Sequence, residues 1–265
     1  MQLSGRCALI TGAGSGIGRE MAILAVARGM EVALVGRTEA SLRNTRTMLC
    51  EPARGHVLVA DITDREGRLR LRKETGALFG RLDVLINNAG VQTVGPLGQL
   101  DDRDLEAVIL TNLISPIALV REMLDLLQVA APSRIVNVGS MFGEIGFPMY
   151  SVYSASKFGL RGFSDALRRE MKDFQVGVTY TAPRATRTPA TDRTAHMSEA
   201  FKMVLDEPED VARRILDAVE RDARSVYPRG AERLFIWLQR LFPRAVDAAV
   251  VKQLRSAGLH GVTNA

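Results

Sequence analysis

The sequence predicts an α/β fold, a doubly wound parallel sheet of about seven strands with a C-terminal helical extension. Three observations predict it. Short, β-branched apolar runs alternate with amphipathic stretches of helical period over the first 180 residues, the pattern of βαβ units. The runs are apolar at consecutive positions, as strands buried on both faces are. A glycine-rich turn at residues 11–18 follows the first run directly and opens the first helical stretch.

Each element has its own signal. Strands are expected at residues 7–10, 32–35, 57–60, 84–86, 135–138 and 176–180, with a seventh at 224–227. Helical periodicity is clearest over 19–28 and 105–127. A further helix is expected at Pro208–Glu220, where Pro208 in the first turn and the acids Glu207, Glu209 and Asp210 suit a helix N-terminus. With 265 residues and no internal repeat or low-complexity linker, residues 1–230 are expected to form one domain and residues 231–265 an extension. An apolar share of 46% excludes disorder as the main state. Two cysteines, Cys7 and Cys50, exclude a disulfide scaffold, and Cys7 is expected as a small buried thiol. The residues suggest neither a signal peptide nor a transmembrane helix, so a reducing, cytoplasmic setting is expected. The net charge of +5 is concentrated at one end: residues 221–265 hold eight basic and three acidic residues, and the other 220 residues balance. The body lacks the interleaved basic and aromatic residues that read nucleic acid, so no nucleic-acid partner is expected.

The turn reads Thr11-Gly12-Ala13-Gly14-Ser15-Gly16-Ile17-Gly18. Glycines let the backbone turn tightly and let a phosphate approach where a Cβ would block it. A helix starting near Gly16 offers free N–H groups and the positive end of its dipole. A flexible turn would need none of this placement. Lying between a first strand and a helix, the cluster reads as a pyrophosphate cradle.

The glycine spacing is G-x-x-x-G-x-G, and here the sequence resembles the short-chain dehydrogenase/reductase family. The resemblance spans roughly residues 3–230. It rests also on Asn87-Asn88-Ala89-Gly90 after the fourth strand, Asn112 in the next long helix, Ser140 ending the fifth strand, and Tyr153-Ser154-Ala155-Ser156-Lys157. It implies a Rossmann-type fold and a nicotinamide cofactor. It also implies a catalytic set of Asn112, Ser140, Tyr153 and Lys157, with Lys157 on the nicotinamide ribose and Asn112 continuing a proton relay through water. The residues support an acid–base reading of their own. Tyr153 and Lys157, four apart, share one side of a helix. A nearby ammonium favours the phenolate, so Lys157 is expected to lower the phenol's pKa. Ser140 can orient a carbonyl or hydroxyl. Taken singly, Tyr153 could be a surface aromatic, Lys157 a solvated charge, Ser140 a helix cap and Asn112 an amide stabilising a kink. Asn87, Asn88 and Gly90 could equally hold the sheet's crevice open or line the adenosine side.

An acid at the end of the second strand would grip a ribose 2′-hydroxyl. The residues there are Gly36-Arg37-Thr38, and Arg37 offers a guanidinium suited to a 2′-phosphate, with Thr38 adding a donor. NADP is therefore the expected cofactor. By resemblance, Asp61 and Ile62 contact the adenine, and Pro183 and Thr188 follow the sixth strand beside the nicotinamide. The family usually has glycine after that proline, whereas this sequence has Arg184. Either the backbone differs or the guanidinium points at cofactor or substrate. Residues 189–203 are expected to form a substrate lid, with His196 solvated.

The expected activity is hydride transfer interconverting a carbonyl and a secondary alcohol, on a small and largely apolar substrate, by a homo-oligomer. A dehydratase or epimerase on the same scaffold and a non-catalytic dinucleotide sensor are the rival readings. In the tail, Leu234, Trp237, Leu238 and Leu241 recur at helical spacing, widened by Phe235 and Phe242, with Arg233, Arg240 and Arg244 beside them. Packing on protein, of its own chain or of a neighbouring subunit, is expected for this face. A wall of the substrate site and peripheral contact with an anionic membrane are the alternatives.

Overall fold

Apolar runs that must bury both faces pair side by side, and here they form one parallel sheet. The computed structural model describes residues 1–230 and 232–258, and of Glu232 and Arg233 the backbone alone. The strands are β1 (Cys7–Thr11), β2 (Glu31–Gly36), β3 (Gly55–Val59), β4 (Val84–Asn87), β5 (Ser133–Val138), β6 (Val176–Thr181) and β7 (Ser225–Val226). Their order across the sheet is β3-β2-β1-β4-β5-β6-β7. The order reverses between β1 and β4, and the crevice at their C-terminal ends is where an open α/β sheet binds ligands.

The helices are α1 (Gly16–Ala27), α2 (Glu39–Thr47), α3 (Arg65–Phe79), α4 (Asp102–Ile109), α5 (Ser115–Val129), α6 (Ser151–Glu170), α7 (Pro189–Asp192), α8 (Ala195–Ala200), α9 (Pro208–Glu220), α10 (Glu232–Leu241) and α11 (Pro243–Ser256). Helices α1 and α9 cover one face of the sheet, with Met21, Ala25, Val211 and Ile215 against Ile10, Leu34 and Ile86. Helices α3, α5 and α6 cover the other, with Leu71, Leu119, Met123 and Leu167 against Leu9, Leu85 and Ile135. Burying each such side chain contributes about 1.5–3 kcal/mol. Cys7 is buried as expected. Burial pushes its thiol up to about 11.

The structure departs from the sequence reading in three places. The third strand starts two residues earlier, at Gly55. The helix expected over 105–127 begins at Asp102 and is interrupted by a π-helical turn at Leu110–Ile114. The combined helix Asp102–Val129 is long and apolar enough, by length and composition, to cross a membrane, which the sequence reading had not expected. One side of it packs on the sheet, as a core helix does.

The third departure is the tail. Ala231 and residues 259–265 lie outside the described residues. In α10, Leu234, Trp237 and Leu241 are exposed and Leu238 half-buried, so the face expected to pack does not pack on its own chain. Ile236 takes the inward position, and Arg240 lies 3.7 Å from the buried carboxylate of Glu144. Arg161 already binds that carboxylate at 2.7 Å, and Arg240 brings a second positive charge to it from α10.

Candidate active site

The site is built where four strands end. The first turn after β1 depends on its glycines. Gly12 and Gly16 have positive φ, +67° and +53°. A Cβ on Gly12 would come within 2.9 Å of Asn88 Nδ2, and one on Gly16 within 2.8 Å of Thr188 Cγ2. A Cβ on Gly18 would collide with the carbonyl oxygen of Gly12. The turn is thus pressed against the segments that follow β4 and β6, leaving the N-terminus of α1 facing the crevice. Gly14 packs on Ser41. After β4, the N–H groups of Asn88 and Ala89 each donate to Thr11 Oγ1 at 3.0 Å, and Asn88 Nδ2 donates to the Thr11 carbonyl at 2.9 Å. Asn87 instead donates to Asn137 Oδ1 inside the sheet, a structural role.

One cavity of about 460 Å³ opens there. Of the residues expected to bind cofactor, Gly12, Ser15, Gly16, Ile17, Asn88, Ala89, Gly90, Pro183 and Thr188 line it, together with Ser140, Tyr153 and Lys157. Gly14, Gly18, Arg37, Thr38, Asp61, Ile62 and Asn112 do not. Arg37 and Thr38 are exposed at the end of β2, where Thr38 stands at the start of α2. Asp61 Oδ1 accepts from Thr63, and Ile62 is buried.

Tyr153 and Lys157 share the inner side of α6. Lys157 is buried, its Nζ 5.7 Å from the Tyr153 ring centre and donating to the Val138 carbonyl at 2.9 Å. Burial lowers the ammonium to about 8. Tyr153 runs opposite to the sequence expectation: burial pushes its phenol up to about 12, although a hydrogen bond from Ser140 acts to lower it. Desolvation dominates the shift, and Lys157, its ammonium down at about 8, has lost its charge before the phenol titrates. Ser140 caps the short turn after β5, its Oγ accepting from the Phe142 N–H at 3.1 Å.

Asn112 is fully buried in the π-helical turn. Its Oδ1 accepts from the Val91 N–H at 2.9 Å, and its Nδ2 donates to the Val91 carbonyl at 2.8 Å and to Ser156 Oγ at 3.1 Å. It clamps the segment beside Gly90, where a Cβ would lie 3.2 Å from Asn112 Oδ1 and 3.7 Å from Lys157 Nζ.

Arg184 lines the cavity beside Pro183, and its guanidinium binds Asp206. It does not adopt positive φ, and its Nε and Nη2 bind Asp206 at 2.8 and 2.7 Å. Asp206 also accepts from Arg214 at 2.6 Å. Although burial acts to raise it, the Arg214 and Arg184 bonds hold its carboxyl below the usual range. Residues 188–205 are therefore tied down at their C-terminal end. His196 is exposed, as expected.

The sequence reading missed the aromatic wall. Phe142 and Phe147 stack at 4.9 Å, Tyr150 packs on both, and Phe201 of the lid meets Phe147 edge-on at 4.8 Å. All four line the cavity, with Met203 and Val204. Clustered aromatics at residues 142–153 were the available signal. Gln253 of α11 also lines it and donates to the Phe201 carbonyl at 2.9 Å, a contact with no local sequence signal.

The cradle is open where a Cβ would fill it, and the cavity continues from it to a buried lysine and a half-buried tyrosine. These residues fit a dinucleotide carrying a nicotinamide. Residues 6–199 match the family model described as short chain dehydrogenase. The chain is 31% identical over 260 residues to an uncharacterized oxidoreductase, YxnA, of Bacillus subtilis, covering 95% of this chain and 73% of that protein. It is 34% identical over 191 residues to the 3-oxoacyl-[acyl-carrier-protein] reductase FabG of Salmonella typhimurium, covering 72% and 78%. A short chain dehydrogenase/reductase structure from Burkholderia phymatum in complex with NAD superposes with a TM-score of 0.86, at 22% identity over 93% of this chain and 96% of that one. Sheet order, glycine turn and matched residues agree, and the chain belongs to the short-chain dehydrogenase/reductase family of oxidoreductases.

Proposed function

We propose that the protein is an NADP-dependent reductase of an apolar carbonyl compound, with Tyr153 as the proton donor. The observation that carries the reading is that Ser140, Tyr153 and Lys157 line the same cavity as the glycine turn. NADPH, when bound, supplies the hydride. Gly12, Ser15, Gly16 and Ile17 would hold its pyrophosphate, Lys157 its nicotinamide ribose, and Thr188 its carboxamide. Arg37 carries the NADP preference, as an exposed guanidinium at a strand end with no acid to grip a 2′-hydroxyl.

Ser140 orients the carbonyl oxygen towards Tyr153. With its phenol pushed up to about 12, Tyr153 carries its proton throughout the neutral range. Reduction is the direction that the name of the Salmonella relative states for that protein. Asn112 acts by fixing Val91 and the segment beside Lys157. Phe142, Phe147, Tyr150 and Phe201 select an apolar substrate and keep water from the transfer. Subunits pair through the apolar side chains that α5 and α6 leave exposed, Ile117 and Phe158.

The test is NADPH consumption against ketones and aldehydes, long-chain 3-oxo compounds included. Tyr153→Phe is expected to keep cofactor binding and lose turnover by on the order of 10² or more. Arg37→Glu is expected to weaken NADPH and spare NADH in a binding titration. An active phenylalanine variant overturns the assigned acid, and equal affinity of the unaltered chain for both cofactors overturns the NADP reading.

A further inference from the structure

Successive residues of an α-helix are turned by roughly 100°, so on α10 the side chains of Leu234, Phe235, Trp237, Leu238 and Leu241 fall within one arc of about 160°, and Phe242 follows directly after the helix. In the folded chain that arc points outward except at Leu238, which is half-buried. Leu234, Phe235, Trp237, Leu241 and Phe242 are between 47% and 65% exposed, whereas Ile236, on the opposite side, is 6% exposed. Arg240, at the border of the arc next to Trp237, reaches inward to Glu144. The helix is mounted with Ile236 on the protein and most of its apolar arc on solvent. A contiguous patch of this kind marks an interaction surface.

We propose that α10 seats the protein on an anionic lipid bilayer, its outward arc entering the headgroup region. Charge chooses this occupant. The net positive charge of the chain resides in residues 221–265, and Arg244, Lys252 and Arg255 of α11 are exposed beside the patch's own helix. A second copy docking on this face would bring two such basic segments together, and the same charges that oppose it draw in acidic headgroups. Trp237 and the two phenylalanines are side chains that lodge at a membrane–water boundary. The extension is fixed to the body on two sides, by Arg240 at Glu144 and by Gln253 at the Phe201 carbonyl, so the patch is held in one orientation. The proposal is independent of the chemistry assigned to Tyr153.

Trp237 is the single tryptophan of the chain, so its fluorescence reads the patch directly. The full chain is titrated with vesicles of phosphatidylcholine and phosphatidylglycerol at 3:1 and with phosphatidylcholine alone, and flotation is measured in parallel. The expected result is a blue shift and flotation on the anionic vesicles, weakened by salt and by removal of phosphatidylglycerol. Lys252→Ala and Arg255→Ala are each expected to weaken binding about fivefold. The double variant Leu234→Glu/Leu241→Glu is expected to keep its circular dichroism and NADPH turnover and to lose vesicle binding more than tenfold. Unchanged emission with no flotation on anionic vesicles overturns the proposal. So does an emission already blue-shifted without vesicles, in an assembly that the double variant disperses, for then a second copy covers the face.

Discussion

Helix α9 turns Val211, Ala212, Ile215, Leu216 and Val219 into the core, whereas α10, equally two-sided in sequence, turns Leu234, Trp237 and Leu241 towards solvent. Both helices carry apolar residues at i, i+3, i+4 and i+7 spacing. The difference lies in what each finds beneath it. Helix α9 lies on the sheet face lined by Ile10, Leu34 and Ile86. Helix α10 lies over the buried carboxylate of Glu144, which Arg161 already binds at 2.7 Å and Tyr227 at 3.2 Å. Burial holds that carboxyl above its usual range despite Arg161, and Arg240 relieves it further. Periodicity defines a face, and the partner surface decides its direction. Helix α6 is a third case: its inner side buries a cation, Lys157, where α9 buries aliphatics.

The contrast is sharpest in stability. Leu216→Ala in α9 is expected to cost about 2–5 kcal/mol in urea unfolding, because the core cannot close over the missing atoms. In α6, Lys157→Met is expected to gain about 2 kcal/mol at pH 7 while turnover is lost. The sign follows from the folded ammonium lying at about 8 against an ordinary 10.5. Between those values the unfolded chain binds more protons, so the unaltered protein gains stability as pH rises through that window and carries the full penalty below it. The variant's advantage is therefore expected to vanish near pH 10.5 in unfolding curves taken at several pH values. A methionine variant no more stable at pH 7 would mean that the lysine's hydrogen bond to Val138 already offsets its burial. Leu241→Ala in α10 is expected to change unfolding by less than about 0.5 kcal/mol without lipid. A loss as large as that of Leu216→Ala would show the α10 face covered in solution.

What could be read in the sequence was local. The strands announce themselves as uninterrupted apolar runs, and the glycine turn as spacing that only a close approach requires. Tyr153 and Lys157 announce themselves as one side of a helix. What could not be read depends on partners far along the chain. Arg184 finds Asp206 and Phe201 finds Gln253, pairs 22 and 52 residues apart. The direction of the Tyr153 shift needed its burial as well as its neighbour. The face of α10 needed Glu144, 96 residues earlier. Asn112 was visible as a residue, yet the turn it occupies was not, because a single wider turn leaves the surrounding helical pattern nearly intact.

That turn bears on how the chain can change length. The segment Leu110–Ile114 winds with bonds one residue longer than those of α4 and α5, which amounts to one residue inserted into an otherwise continuous helix. Deleting a residue there would restore ordinary winding and rotate everything after it by roughly 100° relative to everything before. Leu119, Met123 and Leu127 would swing off the sheet if α4 kept its place. If α5 kept its place, Asn112 would swing away from Val91. Most exposed helices of this size can lose or gain a residue near an end at modest cost. This one is expected to be fixed in length at its centre, so natural variation in the number of residues should collect on either side of 110–114 and not within it.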